Sequence, residues 1–195
     1  MADANQVVLY SMEKVIDTFF LDTKNKFIGK IKNANEGLYY FTHGDENQYV
    51  YIEPEDSLML RLNTWDFDES LVFAGKGAER NNILIDCFLE NEKDLKQFFQ
   101  YYKLPPLYFK TKVDSLLTIK MLTYKDYMYN HPEETTGYKE VLKTGLTYPI
   151  YSRLERYPIM HAKYANKGKF PELNKSFYNF RKKVTINKDS LMYYP

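Results

Sequence analysis

Asn81-Asn-Ile-Leu-Ile-Asp-Cys-Phe-Leu89, followed by Glu90-Asn-Glu-Lys-Asp-Leu-Lys-Gln-Phe-Phe-Gln-Tyr-Tyr102, is the stretch on which the fold of this chain turns. Its short apolar run, Ile83-Leu-Ile-Asp-Cys-Phe-Leu89, reads as a strand. Here Gly75-Lys-Gly-Ala-Glu-Arg80 reads as a loop. That predicts a hairpin between Ser70–Ala74 and Ile83–Leu89. The polar continuation then predicts a helix over 91–103, with Asn91 as its cap, acids in its first turn, and Leu95, Phe98, Phe99 and Tyr102 on one face.

Upstream, Leu38-Tyr-Tyr-Phe-Thr42 and Tyr49-Val-Tyr-Ile52 are aromatic and β-branched. They predict a hairpin around His43-Gly-Asp-Glu-Asn-Gln48, a loop longer than the tight two-residue kind. Leu58–Leu62 predicts a further strand, and Phe27–Ile31 a short one. Residues 5–21 predict a helix instead, because Val8, Met12, Val15, Ile16, Phe19 and Phe20 fall on one helical stripe. Strands that follow one another without intervening helices argue for an antiparallel sheet over βαβ units.

Downstream, Pro105-Pro106 predicts a break and an extended connector through Leu107–Phe109. Leu117, Met121, Tyr124 and Met128 predict a helix over 114–129 capped by Asp114, with a strand as the alternative. A short helix over 136–143, closed by Gly145, follows. Pro158 argues against any helix around it. Pro171, Leu173, Phe177 and Phe180 predict a last amphipathic helix ending in Arg181-Lys-Lys183. The expected fold class is therefore α+β: an antiparallel sheet of five to six strands with flanking helices, and a mostly helical, irregular C-terminal arm. The expected organisation is an acidic core domain over 1–110 and a basic, Tyr-rich region over 111–195.

Charge supports that division. The formal net charge of +1 conceals 10 Lys/Arg against 18 Asp/Glu in residues 1–100, net −8, and 17 against 8 in residues 101–195, net +9. Such asymmetry suits a polyanion site on the basic half, attraction between the halves, or association of copies. The single cysteine, Cys87, rules out an internal disulfide framework and fits a reducing compartment. The N-terminus lacks a signal-peptide pattern, and no apolar run has membrane-spanning length. A soluble, intracellular protein is expected, open to incorporation into a virion.

No motif for chemistry survives inspection. The acids Asp66, Asp68 and Glu69, near Glu53, Glu55 and Asp56, fail the linear calcium-loop pattern, since Leu71 stands where the Gly belongs. Gly75-Lys76-Gly77 lacks the spacing of a phosphate loop or a dinucleotide fingerprint. His43, His131 and His161 are scattered, and there is no second Cys for a zinc site. The expectation is no enzyme, with no catalytic, metal or cofactor-binding residues and no cofactor.

What remains is the Tyr-rich basic half, where rings and cations interleave. Tyr148, Tyr151, Arg153, Arg156, Tyr157, Tyr164, Tyr193 and Tyr194 are the expected partner-binding residues. Tyr and Arg dominate protein interfaces; interleaved rings and cations also bind single-stranded nucleic acid. Low Ala and Gly with abundant Tyr, Phe, Asn and Lys suits an AT-rich genome such as a phage. The expected function is a non-enzymatic structural subunit of a large assembly, of the kind found in a bacteriophage head, neck or tail. Its partners are other protein subunits, as a homo-oligomer or hetero-assembly, with no membrane. The alternatives are a nucleic-acid-binding protein and an accessory subunit of an organellar complex.

Overall fold

The computed structural model describes residues 5–185. The protein is α+β, with its strands in the first half and long helices thereafter. Strands β1 (Gln6–Ser11), β2 (Lys14–Phe20), β3 (Gly37–His43) and β4 (Glu46–Ile52) form one antiparallel sheet in the order β2-β1-β3-β4. Strands β5 (Ser57–Arg61) and β6 (Val72–Lys76) form a separate antiparallel pair. The helices are the short α1 (Phe67–Ser70), then α2 (Ala78–Tyr101), α3 (Pro106–Asn130) and α4 (Thr136–Tyr164), followed by a 3₁₀ helix over Lys175–Lys183. The expected five to six strands are thus divided between two sheets. Among the described residues, no helix is long and apolar enough to cross a membrane.

The chain divides into two compact units, one ending at Asp86 and the other beginning at Cys87. The boundary drawn from composition, at 110/111, lies inside α3.

In the first unit the helix expected over 5–21 is a hairpin. Met12 adopts a left-handed φ of 57° at the turn. Val8, Val15, Phe19 and Phe20 satisfy helical spacing, but a bulge between Leu9 and Tyr10 disturbs the alternation by which a strand would have been recognised. Residues 27–31 form no strand. The β3–β4 hairpin forms as read, except that His43 pairs with Glu46 across a two-residue Gly44-Asp45 turn. Gly44 supplies the positive φ (64°) that such a turn demands.

The larger correction concerns the deciding stretch. The partner of the 70–74 strand is β5, and Asn81–Leu89 is the first half of α2. Its apolar residues serve a helix: Asn81, Leu84 and Ile85 are buried while Asp86 is exposed. Asn91 is accordingly an interior helical residue and not a cap. Gly77, with φ 93°, reverses the chain into α2 so closely that a Cβ there would lie 2.8 Å from the Asp56 carboxylate.

Two consecutive asparagines hold α2 in the first unit. Asn81 Oδ1 accepts from the Tyr51 N–H (2.6 Å) and its Nδ2 donates to the Tyr51 carbonyl (2.8 Å), on the free edge of β4. Asn82 does the same for Phe73 on β6, at 2.8 and 3.0 Å. Each amide stands in for a neighbouring strand and satisfies groups that would be costly to bury unpaired. Asn is a poor helix former, and these bonds offset that preference.

The second unit packs α3, α4 and the 3₁₀ helix with the remainder of α2. Pro106 occupies the start of α3, where its missing N–H costs nothing, so 107–109 is helical and not an extended connector. Asp114 lies inside that helix. The helix expected over 136–143 does not close at Gly145 but runs to Tyr164 through Pro149 and Pro158. The core gathers Phe98, Tyr102, Phe109, Val113, Ile150, Leu154, Tyr157, Phe177 and Phe180. Much of the segment expected to be an irregular arm is therefore the interior of a packed unit. Aromatic rings supply the volume that aliphatic residues do not: Phe109 stacks on Tyr157 at 4.0 Å and meets Phe98 edge-on at 6.0 Å. The last helix forms as 3₁₀ from Lys175, ending in Arg181-Lys-Lys183 as expected.

Candidate interaction surfaces

The residues expected to bind a partner are dispersed. Tyr157 is fully buried, and its hydroxyl donates to the Leu104 carbonyl at 2.7 Å. Burial pushes the Tyr157 hydroxyl up to about 12. Arg153 is buried as well, its guanidinium 4.8 Å from the centre of the Phe98 ring and donating to the Asn91 carbonyl at 2.6 Å. Tyr148 is half-buried; its hydroxyl accepts from the Thr185 N–H (2.9 Å) and donates to the Thr185 carbonyl (3.1 Å). Tyr151 stacks on Phe180 and lines a groove of about 460 Å³ with Leu117, Met121 and Leu122. Only Arg156 and Tyr164 are exposed, and Tyr164 meets Phe99 edge-on. Tyr193 and Tyr194 lie outside the described residues. Among the described residues, the interleaved rings and cations thus form no common surface.

Arg153 belongs to a buried ionic cluster that joins three helices. Lys120 of α3, itself buried, reaches Glu90 Oε2 at 2.7 Å and Asp94 Oδ2 at 3.2 Å, both on α2. Arg153 of α4 stands 4.0 Å from the same Asp94 oxygen. Burial lowers the Arg153 pKa below its ordinary value while Asp94 opposes that shift. Two cations face two carboxylates, so the cluster is compensated, and it fixes the helices' register more than it provides a site.

The other candidate groups are engaged structurally. Glu53 and Asp56 are held by Arg80 at 3.0 and 3.1 Å, and Asp68 accepts from Gln48 at 2.8 Å, so the 45–69 acids do not converge. His161 Nδ1 is 2.8 Å from the Tyr102 carbonyl, and Cys87 is buried. In the loop between α3 and α4, His131, Glu133 and Glu134 bring donor atoms within 4.8 Å of one another. The His131 ring stacks on Tyr127, whose hydroxyl donates to Glu134. Those contacts account for the cluster as a brace for the loop.

The surface that composition did not reveal is the open face of the four-stranded sheet. Alternation along β1, β3 and β4 buries Val7, Leu9, Tyr39, Phe41, Val50 and Ile52 on one side. On the other side Tyr10 is directly opposite Tyr40, and Tyr40 opposite Tyr49. The first two rings stack in parallel at 4.7 Å and the third is tilted at 6.1 Å. Across β2 the band continues through Val15, paired with Tyr10, and Phe20, 57% and 67% exposed. Val8, Thr18 and Thr42 fill the row between them. In a chain of which 27% is charged, none of the strand positions on this face is charged. Desolvation raises the pKa of Tyr49 above its ordinary value, as expected for rings that shield one another.

No protein-family model matches this chain, and no curated protein or solved structure matches it either.

Proposed function

We propose that the chain is a non-enzymatic interaction subunit of a larger protein assembly, and that the open sheet face carries its contact with a protein partner. The observation that carries this reading is the Tyr10–Tyr40–Tyr49 ladder, continued by Val15 and Phe20 across all four strands with no charge among them. Extended apolar patches on a charged surface mark interaction sites. Tyrosine suits them because its ring packs while its hydroxyl stays hydrated. Single-stranded nucleic acid also stacks on such rings, but it needs cations along its phosphates, and the strand positions of this face carry none. Within this reading, the amino-acid composition is the support for a virion as the kind of assembly.

The test is a triple substitution, Tyr10→Ser/Tyr40→Ser/Tyr49→Ser, introduced in the native host in place of the natural chain. The variant, with far-UV circular dichroism unchanged, is expected to be missing from the native complex. Its recovery at the natural level overturns the reading.

A further inference from the structure

We propose that α3 is a dimerisation helix that pairs antiparallel with α3 of a second copy of this chain. This rests on a surface separate from the open sheet, so either can fail without the other.

One side of α3 is spent on the core of its own unit, through Phe109, Val113, Lys120 and Tyr127. The opposite side carries a second stripe at alternating intervals of four and three residues: Tyr108, Lys112, Ser115, Ile119, Leu122, Asp126 and Tyr129. All are exposed, Tyr108 by 65%, Ile119 by 57%, Leu122 by 59% and Tyr129 by 85%. A helix with one unpartnered face normally makes that face polar. Here the alternating spacing is instead that of a helix–helix seam.

The identity of the occupant follows from charge and register. The stripe holds one cation, Lys112, and one anion, Asp126, on either side of its apolar centre. In an antiparallel pair whose twofold axis passes between Lys120 and Met121, Ile119 meets the partner's Leu122. Ser115, whose hydroxyl donates to the Thr111 carbonyl at 3.0 Å within the isolated helix, turns that hydroxyl to the partner's Asp126 carboxylate, and Lys112 meets the partner's Tyr129, as a cation over a ring. Each of these three layers occurs twice, as an isologous contact requires, while Tyr108 falls opposite position 133, beyond the end of the partner's α3. Displacing the register by one heptad towards the N-terminus puts Leu122 against Lys112; displacing it the other way puts Leu122 against Asp126. Both bury a charge against an aliphatic chain. One helix pair is at the small end of specific interfaces, below about 1,200 Å², so the dimer is a reversible one.

Sedimentation equilibrium of the full chain, from about 1 μM to about 1 mM, is expected to show a monomer–dimer equilibrium that Leu122→Lys abolishes with helical content unchanged. A monomer throughout that range overturns the proposal, and so does association that Leu122→Lys leaves intact. Register is read by mild oxidation. An equimolar mixture of Ile119→Cys and Leu122→Cys chains is expected to cross-link faster than either alone or than Ile119→Cys with Ser115→Cys. A preference for the Ser115→Cys mixture overturns the antiparallel register.

Discussion

The Asn91 side chain donates, at 3.1 Å, to the carbonyl of Gly145, the group that Pro149 leaves without its helical donor. A proline within a helix removes the N–H that would reach the carbonyl four residues earlier and crowds that carbonyl with its ring. Asn91 replaces the missing donor from α2, and Gly145 brings no side chain to the buried contact. This is how α4 continues through a residue that the sequence marks as a stop.

That relationship makes the two positions energetically dependent. Asn91→Ala is expected to cost about 1–3 kcal/mol, the penalty for a buried acceptor left unsatisfied. In a Pro149→Ala background, where residue 149 again supplies an N–H, the same substitution is expected to cost at least about 1 kcal/mol less. Urea denaturation of the four chains gives this coupling directly. Additive effects would show that Asn91 does not support α4.

Asn81 predicts a similar cost without a proline. Replacing it with Leu orphans both the N–H and the carbonyl of Tyr51 on the edge of β4. A loss of about 2–4 kcal/mol is expected, from two unsatisfied backbone groups at about 1–2 kcal/mol each. Chemical denaturation checks it, and a loss below about 0.5 kcal/mol contradicts the role given to this amide.

These asparagines also explain which parts of the fold were legible. The β3–β4 hairpin could be read because Leu38–Thr42 and Tyr49–Ile52 are β-rich and flank a turn. Ile83–Leu89 could not, since its apolar run suits strand or helix equally, and Asn81-Asn82 resembles the polar edge of a turn. Only their long-range bonds to Tyr51 and Phe73 make them helical residues. Pro158 misled in the same way, since it argues against a helix and yet lies inside α4; at Pro149 the Gly145 carbonyl is satisfied by Asn91, 54 residues before that glycine. For the site, the abundance of Tyr suggests partner-binding rings in the C-terminal half, but composition does not tell which rings face outward. Tyr157 and Arg153 are interior, whereas Tyr10, Tyr40 and Tyr49 align only through strand register.

The ionic cluster predicts an asymmetric response to substitution. Asp94→Leu leaves Lys120 and Arg153 buried with Glu90, itself half-exposed, as the remaining nearby carboxylate. A loss of about 3–5 kcal/mol is expected, the usual penalty for stranding a buried charge. Thermal or urea unfolding measures it; a neutral outcome would show that the two cations are solvated.

Buried tyrosines predict alkaline lability. Burial raises Tyr157 to about 12 and Tyr138 further, both above the ordinary value of 10.0. A phenol whose folded pKa is raised contributes its full stability below the unfolded pKa, and the unfolded chain gains by ionising first as pH rises through the window above it. Stability is therefore expected to hold up to about pH 10 and to fall as pH climbs towards 12. For the buried tyrosines, tyrosinate absorbance should show one cooperative step coincident with unfolding. Smooth titration of every tyrosine near 10 in the folded chain would contradict their burial.

The most direct test of the interaction role compares tyrosine nitration in the isolated chain and in the complex purified from its native source, resolved by peptide mass spectrometry. Tyr138 and Tyr157 serve as unreactive references in both states. Tyr10, Tyr40 and Tyr49 are expected to be nitrated in the isolated chain and protected in the complex; equal nitration of the three in both states would contradict the open sheet face as the contact surface.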